Sequence, residues 1–417
     1  MSLFHNSKHK LRNAYRTIDT ILDGDFPISS GKSALAKLRK VFEGQEEKLD
    51  RAHKLGDSAA LQQIARIISV KIYQALPILG FILRSTNVRN AFEVLEPLQH
   101  LADAVLQGRP QLLLSSEWDY VPFAYPQSLE DLRSFVLIGL PASEASSALL
   151  LPLAGHELGH AVWKNRGIEG SMHATLQTRC EDLFNKDMAE FKKQFPDYDS
   201  DDMIRKEILP EAIADTVGYA VLQAEELFCD LFAYAIFGAS YLFAFAYIVA
   251  PGLGRSRSPD YPSNATRIST LKDVASKEGI ALPDLSAFEF AEENLRADGR
   301  SRYLIRKAED AVKEVIQEMW GHVSKIIQDG NIPRPNSTHS TRHLTEFRLG
   351  IPAHQPQCLG DVTVAGWTYF QEIQSITSKE QYEKKSDYLN EMMLKTIEVL
   401  EFSRRTQDGS KLKTSKS

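Results

Sequence analysis

Hydrophobic positions in the first part of the chain recur at the three- and four-residue spacing of amphipathic helices. Charged stretches such as Phe42–Arg51 alternate with an apolar run, Ile64–Leu83, whose only charges are Arg66 and Lys71. We therefore predict an all-helical N-terminal domain over residues 1–115. The simplest interpretation is a helical bundle that packs on the rest of the protein. The alternative is a domain that recruits a partner or substrate.

A short aliphatic run, Phe135–Pro141, ends at a proline and predicts a β-strand. The following stretch, Ala145–Gly155, carries no charge and predicts a buried helix. A strand directly before such a helix can bind an extended substrate along its edge, or it can be a core strand without a ligand. The pattern leaves both alternatives open.

The longest apolar run, Leu231–Gly254, has 24 residues without a charge, which is enough to cross a bilayer. It is rich in alanine and contains three tyrosines, Tyr234, Tyr241 and Tyr247. We therefore expect a packed central helix, and insertion into a membrane is the alternative.

Composition adds few constraints. The chain has 417 residues, of which 43% are hydrophobic and 25% charged, with a mean hydropathy of −0.28, as in soluble globular proteins. The net charge is −6 and no long basic stripe occurs, which argues against nucleic acid as the main partner. Cys180, Cys229 and Cys358 are odd in number and far apart, so we expect a reducing cytoplasm. The polar start of the chain predicts no signal peptide.

The most informative motif is His156-Glu-Leu-Gly-His160, an HExxH sequence that follows the predicted buried stretch. On a helix both imidazoles project from one face, at a spacing that suits one Zn²⁺ ion. Glu157 lies next to them, where it can act as a general base toward water. Burial of these side chains without a cation would be costly, which favours a zinc site over histidines satisfied within the core.

A catalytic zinc usually has three protein ligands, so a third ligand is needed. Trp163 and Arg166 stand where a metzincin continuation requires glycine and histidine, which excludes that class. Glu226 and Asp230 share one face of an apolar helical segment. We predict Glu226 as the third ligand and Asp230 as the partner of a ligand imidazole.

Two alternatives for the third ligand stay open. Glu211 has the same spacing from Asp215, and Glu225 directly precedes Glu226. We prefer Glu226 because the segment after Asp230 is far more apolar, so its carboxylates are harder to explain as a solvated face.

His156-Glu-Leu-Gly-His160 followed by Glu226-Leu-Phe-Cys-Asp230 resembles the gluzincins, the thermolysin-like zinc metalloproteases. The resemblance implies that His156, His160 and Glu226 bind zinc, that Glu157 is the general base and that Asp230 holds a ligand histidine. It covers only the two active-site helices. The chain is also similar to uncharacterised bacterial metalloprotease-like proteins with a strand, an HELGH helix and a Glu-x-Phe-x-Asp-Leu-Phe-Ala helix.

These elements predict a mainly α protein with a small β component (α+β), with a zincin-like catalytic core between helical N- and C-terminal regions. The predicted parts are the helical domain 1–115, the core 116–255 with a charged insertion 180–206, a helical C-terminal region 256–402 that completes the core, and a disordered basic tail 403–417. The insertion is expected to be a solvated helix pair, with a lid over the cleft as the alternative.

Arg267, His173 and His343 are candidates for stabilising the oxyanion of the transition state. A surface or capping role is the alternative for each of them. His339 and His343 repeat the i, i+4 spacing of histidines. They lack an intervening glutamate and follow a loop-forming stretch, so we expect no second metal site there.

The chain is thus predicted to be a metallopeptidase with one Zn²⁺ and a peptide or protein substrate. The alternatives are a catalytically inactive metalloprotease-like scaffold, a membrane-associated metalloprotease and a zinc amidohydrolase that acts on another amide.

Overall fold

The protein is described by a computed structural model that covers residues 3–24, 26, 29–87, 92–117, 123–124, 134–141, 144, 146–196, 203–249, 256–280, 294–295, 297–376 and 378–414. It confirms a mainly α protein with a small β component. The chain forms two compact units. The N-terminal unit comprises residues 1–103 and 108–147, and the C-terminal unit comprises residues 104–107 and 148–417.

Amphipathic helices build most of the N-terminal unit. They are α1 (Leu3–Leu22), α2 (Ser29–Lys54), α3 (Ser58–Asn87) and α4 (Phe92–Val105). The first three share one apolar core, in which Ile18, Leu35 and Ile68 are fully buried. Helical periodicity in this region therefore reflects a common buried face, as predicted.

A three-stranded sheet also belongs to the N-terminal unit. Its strands are β1 (Gln111–Glu117), β2 (Phe123–Ala124) and β3 (Phe135–Pro141). β3 lies in the centre, parallel to β1 with Gln111 opposite Phe135, and antiparallel to β2. The strand predicted at Phe135–Pro141 exists, and its position between β1 and β2 favours a core strand over a substrate-binding edge. The N-terminal unit contains this sheet and extends to residue 147, whereas the prediction was an all-helical domain that ends at residue 115.

One described helical segment, Ser58–Ile82 of α3, is long and apolar enough to cross a membrane, and 35% of its most apolar window is buried. Length and composition alone do not separate a membrane span from the core helix of a soluble protein. The inner face of α3 contributes Ile68 and Phe81 to the core shared with α1 and α2. Its outer face exposes Ile67, Val70 and Tyr73.

Helix α8 (Leu209–Phe237) is central to the C-terminal unit. It packs against α5 (Leu151–Asn165), α6 (Ile168–Lys186) and α11 (Gly299–Asp329). Every residue from Glu226 to Phe237 is buried. Neighbours on all sides explain why this part of the sequence has no polar face.

The single helix predicted over Leu231–Gly254 is interrupted. α8 ends at Phe237, Gly238 adopts a φ of 59°, and α9 (Ala239–Val249) begins immediately afterwards. Glycine adopts this left-handed conformation without the clash of a Cβ atom. The run forms two buried helices of the protein core up to Ala246, and residues 250–254 lie outside the described part.

The charged insertion predicted over residues 180–206 buries its three phenylalanine side chains. Phe184, Phe191 and Phe195 pack with Leu304 of α11 in a separate apolar cluster. Its elements are the end of α6, α7 (Met188–Gln194) and a π-helical turn (Ile204–Ile208). The insertion is therefore attached to the unit rather than a solvated helix pair, and residues 197–202 lie outside the description.

The rest of the C-terminal unit is helical apart from one strand pair. The elements are β4 (Ser256–Arg257), α10 (Asn264–Lys277), β5 (Asn294–Leu295), α12 (Ser337–Arg348), α13 (Leu359–Gln374) and α14 (Lys379–Thr414). β4 and β5 pair in parallel. α14 continues to Thr414, so the predicted tail is helical over residues 403–414. The predicted core and the C-terminal helical region share one unit from residue 148 onward.

Candidate metal centre

Helix α5 presents both histidines of the HExxH motif on one side. Pro152 lies in its first turn, where the missing N–H group costs no helical hydrogen bond. His156 and Glu157 are buried, and His160 is partly exposed. The two imidazole rings stand edge to face with their centroids 5.2 Å apart. Local helix geometry thus brings the pair together as predicted.

Glu226 of α8 faces both imidazoles. Nε2 of His156 lies 3.4 Å from Oε2 of Glu226, and Nε2 of His160 lies 3.6 Å from Oε1. Two ligands that bind one tetrahedral zinc at about 2.0–2.1 Å lie roughly 3.3–3.4 Å from each other. The carboxylate therefore has the separation from both nitrogens that a third zinc ligand needs.

The other ring nitrogen of each histidine meets a different carboxylate of α8. Nδ1 of His156 lies 3.0 Å from Oδ1 of Asp230, and Nδ1 of His160 lies 2.9 Å from Oε1 of Glu225. A carboxylate at Nδ1 favours the tautomer with the proton on Nδ1 and a lone pair on Nε2. Both lone pairs are then available on the side where Glu226 lies.

Asp230 is the centre of a buried hydrogen-bond network. It accepts hydrogen bonds from Nε and Nη2 of Arg267 at 2.7 and 2.6 Å, and from the hydroxyl of Tyr241 at 2.5 Å. The Tyr241 hydroxyl also lies 3.1 Å from Nδ1 of His156. Arg267 stacks over the Phe245 ring, 4.6 Å from its centroid. This network restrains the imidazole of His156 from the side opposite Glu226.

The pKa values of the site follow from contacts between its buried charged groups. Burial opposes ionisation of Asp230, but the Arg267 guanidinium holds the pKa of that carboxyl far below its usual range. Burial also opposes a charge on His156, yet its bonds with Asp230 and Glu226 raise its pKa to about 10. Glu226 keeps a lowered pKa despite burial, because of its bond to His156. The carboxylates thus stay ionised and stabilise positive charge at His156, carried either by a proton at Nε2 or by a metal ion that replaces this proton.

α5 and α8 approach closely at Gly159. A Cβ atom on Gly159 would lie 2.9 Å from Cα and 3.1 Å from Sγ of Cys229, so only glycine permits this approach. Ligand atoms of His156, His160 and Cys229 lie within 4.8 Å of one another. Cys229 is therefore a second candidate ligand from α8. The shorter distances to Glu226 favour the carboxylate as the third ligand.

Three predicted residues are not brought to the histidine pair. Glu211 is exposed in the first turn of α8, about 22 Å along the helix from Glu226. His173 is exposed on α6. His343 is fully buried on α12, where its Nδ1 lies 3.1 Å from the carboxylate of Glu346. The described contacts thus give none of the three a role at this centre.

Arg267 does lie in the site, with a different role from the one predicted. Ser263 caps α10 by accepting a hydrogen bond from the backbone N–H of Thr266, and Arg267 follows in the first turn. Its guanidinium binds Asp230 through two nitrogens, and Nη2 lies 3.7 Å from Glu226. Arg267 thus neutralises the carboxylates of α8 instead of pointing at a substrate oxyanion.

Sequence reasoning missed Tyr241, Tyr261 and the role of Glu225. Tyr241 lies in the apolar run Leu231–Gly254, where its presence favours a packed helix but does not predict a contact with the histidines. Glu225 was weighed as a metal ligand but contacts the far nitrogen of His160. Tyr261 is 47% exposed in the loop before α10, and burial together with the charge of Glu226 raises its pKa. In the sequence, Tyr261 lies in the proline-rich loop shortly before Arg267, and this position is the feature that could have identified it.

Comparison of this chain with protein-family models, with curated proteins and with solved structures yields no match. The resemblance to gluzincins therefore rests on the two motifs. Their donor set, two imidazoles and one carboxylate with carboxylates behind both imidazoles, fits zinc better than magnesium or calcium, which prefer oxygen ligands alone.

Proposed function

We propose that this protein is a zinc-dependent metallopeptidase that hydrolyses peptide bonds as gluzincins do. The observation that carries the proposal is the arrangement of His156 and His160, whose Nε2 atoms both face Glu226 while a separate carboxylate lies at each Nδ1. Histidines that only fill a core need one partner each. Two histidines between three carboxylates form a site for one cation.

A zinc ion held by His156, His160 and Glu226 would supply Lewis-acid polarisation of the scissile carbonyl. Glu157 follows the first ligand on α5 and is buried. It would take the proton of the attacking water as general base and transfer it to the leaving amine. Glu157 is not needed as a zinc ligand, because Glu226 already has the required separation from Nε2 of His156 and of His160.

The surrounding residues would keep the ligands ready to bind. Asp230 and Glu225 favour a proton on Nδ1 of their histidines, and Tyr241 adds a hydroxyl to the same network. Arg267 compensates the buried charge of Asp230. Such partners of metal ligands raise metal affinity by fixing ring orientation.

Tyr261 is our candidate for hydrogen-bond donation to the substrate oxyanion. The phenol is protonated at neutral pH at its ordinary pKa, and burial together with the charges of Glu226 and Glu157 raises that pKa further. Its 47% exposure leaves the ring accessible to a bound peptide. This role replaces the one predicted for Arg267, whose nitrogens bind Asp230.

We further propose that the enzyme acts on a peptide or protein substrate in the reducing cytoplasm. The three cysteines are free and buried, which agrees with a compartment that does not form disulfides.

Elemental analysis of the purified chain tests the metal site. We expect one zinc per wild-type chain, a lower zinc content in Glu226→Ala after dialysis against a chelator, and unchanged content in Glu211→Ala. The Glu211 variant is the matched control because it removes an exposed carboxylate from the same helix. Folded wild-type protein that binds no zinc even after supplementation would reject the proposal.

Glu157→Gln tests the chemistry. The variant should keep its zinc and lose about 10²- to 10⁴-fold in turnover, the usual contribution of a general base. Cleavage of a short-peptide library, followed by mass spectrometry, measures the effect. A panel of small amides run in parallel distinguishes a peptidase from another amidohydrolase. Equal cleavage by variant and wild type would remove Glu157 from the mechanism.

A further inference from the structure

Cys229 occupies the contact between the two metal-binding helices. It lies on α8 between Glu226 and Asp230, and it packs on Gly159, which lies between the histidines on α5. Its side chain is fully buried. The ligand atoms of Cys229, His156 and His160 lie within 4.8 Å of one another, the one such group among the described residues.

A thiolate is a strong zinc ligand, and its binding changes the type of site. Three protein ligands leave a fourth position for the reacting molecule, whereas four protein ligands form a closed, structural site. A zinc-bound thiolate and imidazole lie roughly 3.6 Å apart. Because Cys229 is already within 4.8 Å of both imidazole nitrogens, a displacement of about 1 Å brings its sulfur into contact with an ion at His156 and His160.

We propose that Cys229 is a fourth ligand that closes the zinc site in the resting protein and so restrains its peptidase activity. This inference rests on the proposed function. On binding, the thiol loses its proton to solvent as the sulfur–zinc bond forms. When the substrate carbonyl displaces the sulfur, that bond breaks and the thiolate takes up a proton again, without any change of oxidation state.

The structure supplies a reason why the sulfur can move. Glu226 and Cys229 are three residues apart on one face of α8, so both can approach the same ion from one side. Gly159 offers no side chain against the sulfur. A change in the χ1 torsion of Cys229 can therefore alter the distance of its sulfur from the histidines without separating α5 from α8.

Cobalt substitution tests the proposal on the full chain. Apo protein is loaded with Co²⁺, and the near-ultraviolet spectrum is recorded together with the cobalt content. A thiolate ligand gives a sulfur-to-cobalt charge-transfer band, which nitrogen and oxygen ligands do not give. We expect this band in the wild type and in Cys180→Ser, and its loss in Cys229→Ser at unchanged cobalt content. Cys180 is the matched control because it is equally buried, on α6.

The zinc-loaded variants supply a second measurement. If the closed form outweighs the open form tenfold, Cys229→Ser and Cys229→Ala should cleave the peptide library about tenfold faster than the wild type. Cobalt binding without the charge-transfer band in the wild type would overturn the role of Cys229 and leave the metallopeptidase proposal standing. Failure of the wild type to bind either metal would overturn both. The wild-type spectrum decides the question even if a variant does not fold.

Discussion

The chain carries three His-x-x-x-His stretches on helices, at residues 5–9, 156–160 and 339–343, and the last two differ in what surrounds them. On α5, His156 and His160 each have a carboxylate of α8 at Nδ1 and share Glu226 at Nε2. On α12, His339 and His343 have the same spacing in sequence. Identical local geometry therefore produces a candidate metal centre in only one of the two places.

The partners of the α12 pair explain the difference. Nδ1 of His343 contacts Glu346 of its own helix, and its buried Nε2 has no hydrogen-bond partner in the part of the chain that is described. His339 lies 3.4 Å from Asp361 of α13. Asp361 already accepts a hydrogen bond from the backbone N–H of Asn336 at 2.6 Å, which joins α13 to the start of α12. A metal site needs a second helix with several carboxylates directed at both histidines.

Removal of one histidine from each pair should give the largest contrast. His156→Ala or His160→Ala should lower the zinc content well below one ion per chain, because each variant removes one imidazole ligand. His339→Ala should leave one zinc per chain. Elemental analysis after dialysis measures both. Loss of zinc from the His339 variant would contradict the distinction between the two helices.

A change in the carboxylate partners should have the next largest effect. Asp230→Asn and Glu225→Gln should weaken zinc binding about 10- to 100-fold, the usual effect of such partners. Competition with a chelating dye gives the affinities. Asp361→Asn is the control from the α12 site, and it should leave the zinc affinity unchanged.

Asp230→Asn also leaves the guanidinium of Arg267 without its buried anion. Its folding should therefore be checked by thermal unfolding. Glu225 is only partly buried, so we expect Glu225→Gln to fold. This variant therefore tests the role of the carboxylate partners even if the Asp230 variant unfolds. If a folded Glu225→Gln variant binds zinc with wild-type affinity, the carboxylate at Nδ1 of His160 does not contribute to metal binding.

The residue before the second histidine also separates the pairs, since Gly159 precedes His160 and Arg342 precedes His343. Gly159→Ala forces a Cβ atom to within 2.9 Å of the α8 backbone, and should lower the free energy of unfolding by about 1–3 kcal/mol. Denaturation by urea measures this free energy of unfolding. Gly321→Ala, in α11 with nothing within 4 Å of the new Cβ, should raise the free energy by about 0.5–1 kcal/mol. Equal stability of the two variants would show that α5 and α8 can separate at little cost.

The smallest effect is expected for Tyr241. Tyr241→Phe removes one hydroxyl from the His156 and Asp230 network. A net hydrogen-bond contribution of about 1 kcal/mol corresponds to a roughly fivefold loss of zinc affinity. Tyr234→Phe is the matched control, because its buried hydroxyl has no hydrogen-bond partner within the described structure. A similar loss in both variants would attribute the effect to packing.

Much of the fold could be predicted where the signal is local. The helices of the N-terminal unit and the strand at Phe135–Pro141 follow from hydrophobic spacing. The central position of that strand could not be predicted, because it depends on pairing with Gln111–Glu117 from elsewhere in the chain. The helical ending of α14 at Thr414 contradicts the prediction of a disordered tail, which relied on composition alone.

In the candidate site, too, relations within one helix could be predicted and contacts between distant residues could not. Periodicity identified His156 with His160 and Glu226 with Asp230, because each pair lies within one helix. Arg267 was identified as a residue near the cleft, but its partner was not, since Asp230 is distant in sequence. No local pattern predicts the partner of a buried guanidinium.

By itself, the sequence determined which side chains share a helix face, because a rotation of about 100° per residue is a property of the backbone alone. It did not determine which faces meet. The tertiary structure placed Glu226 and not Glu211 beside the histidines, brought Tyr241 and Glu225 to the same site, and packed Cys229 against Gly159. These outcomes depend on how α8 packs against α5, and packing is set by the shapes of segments far apart in the chain.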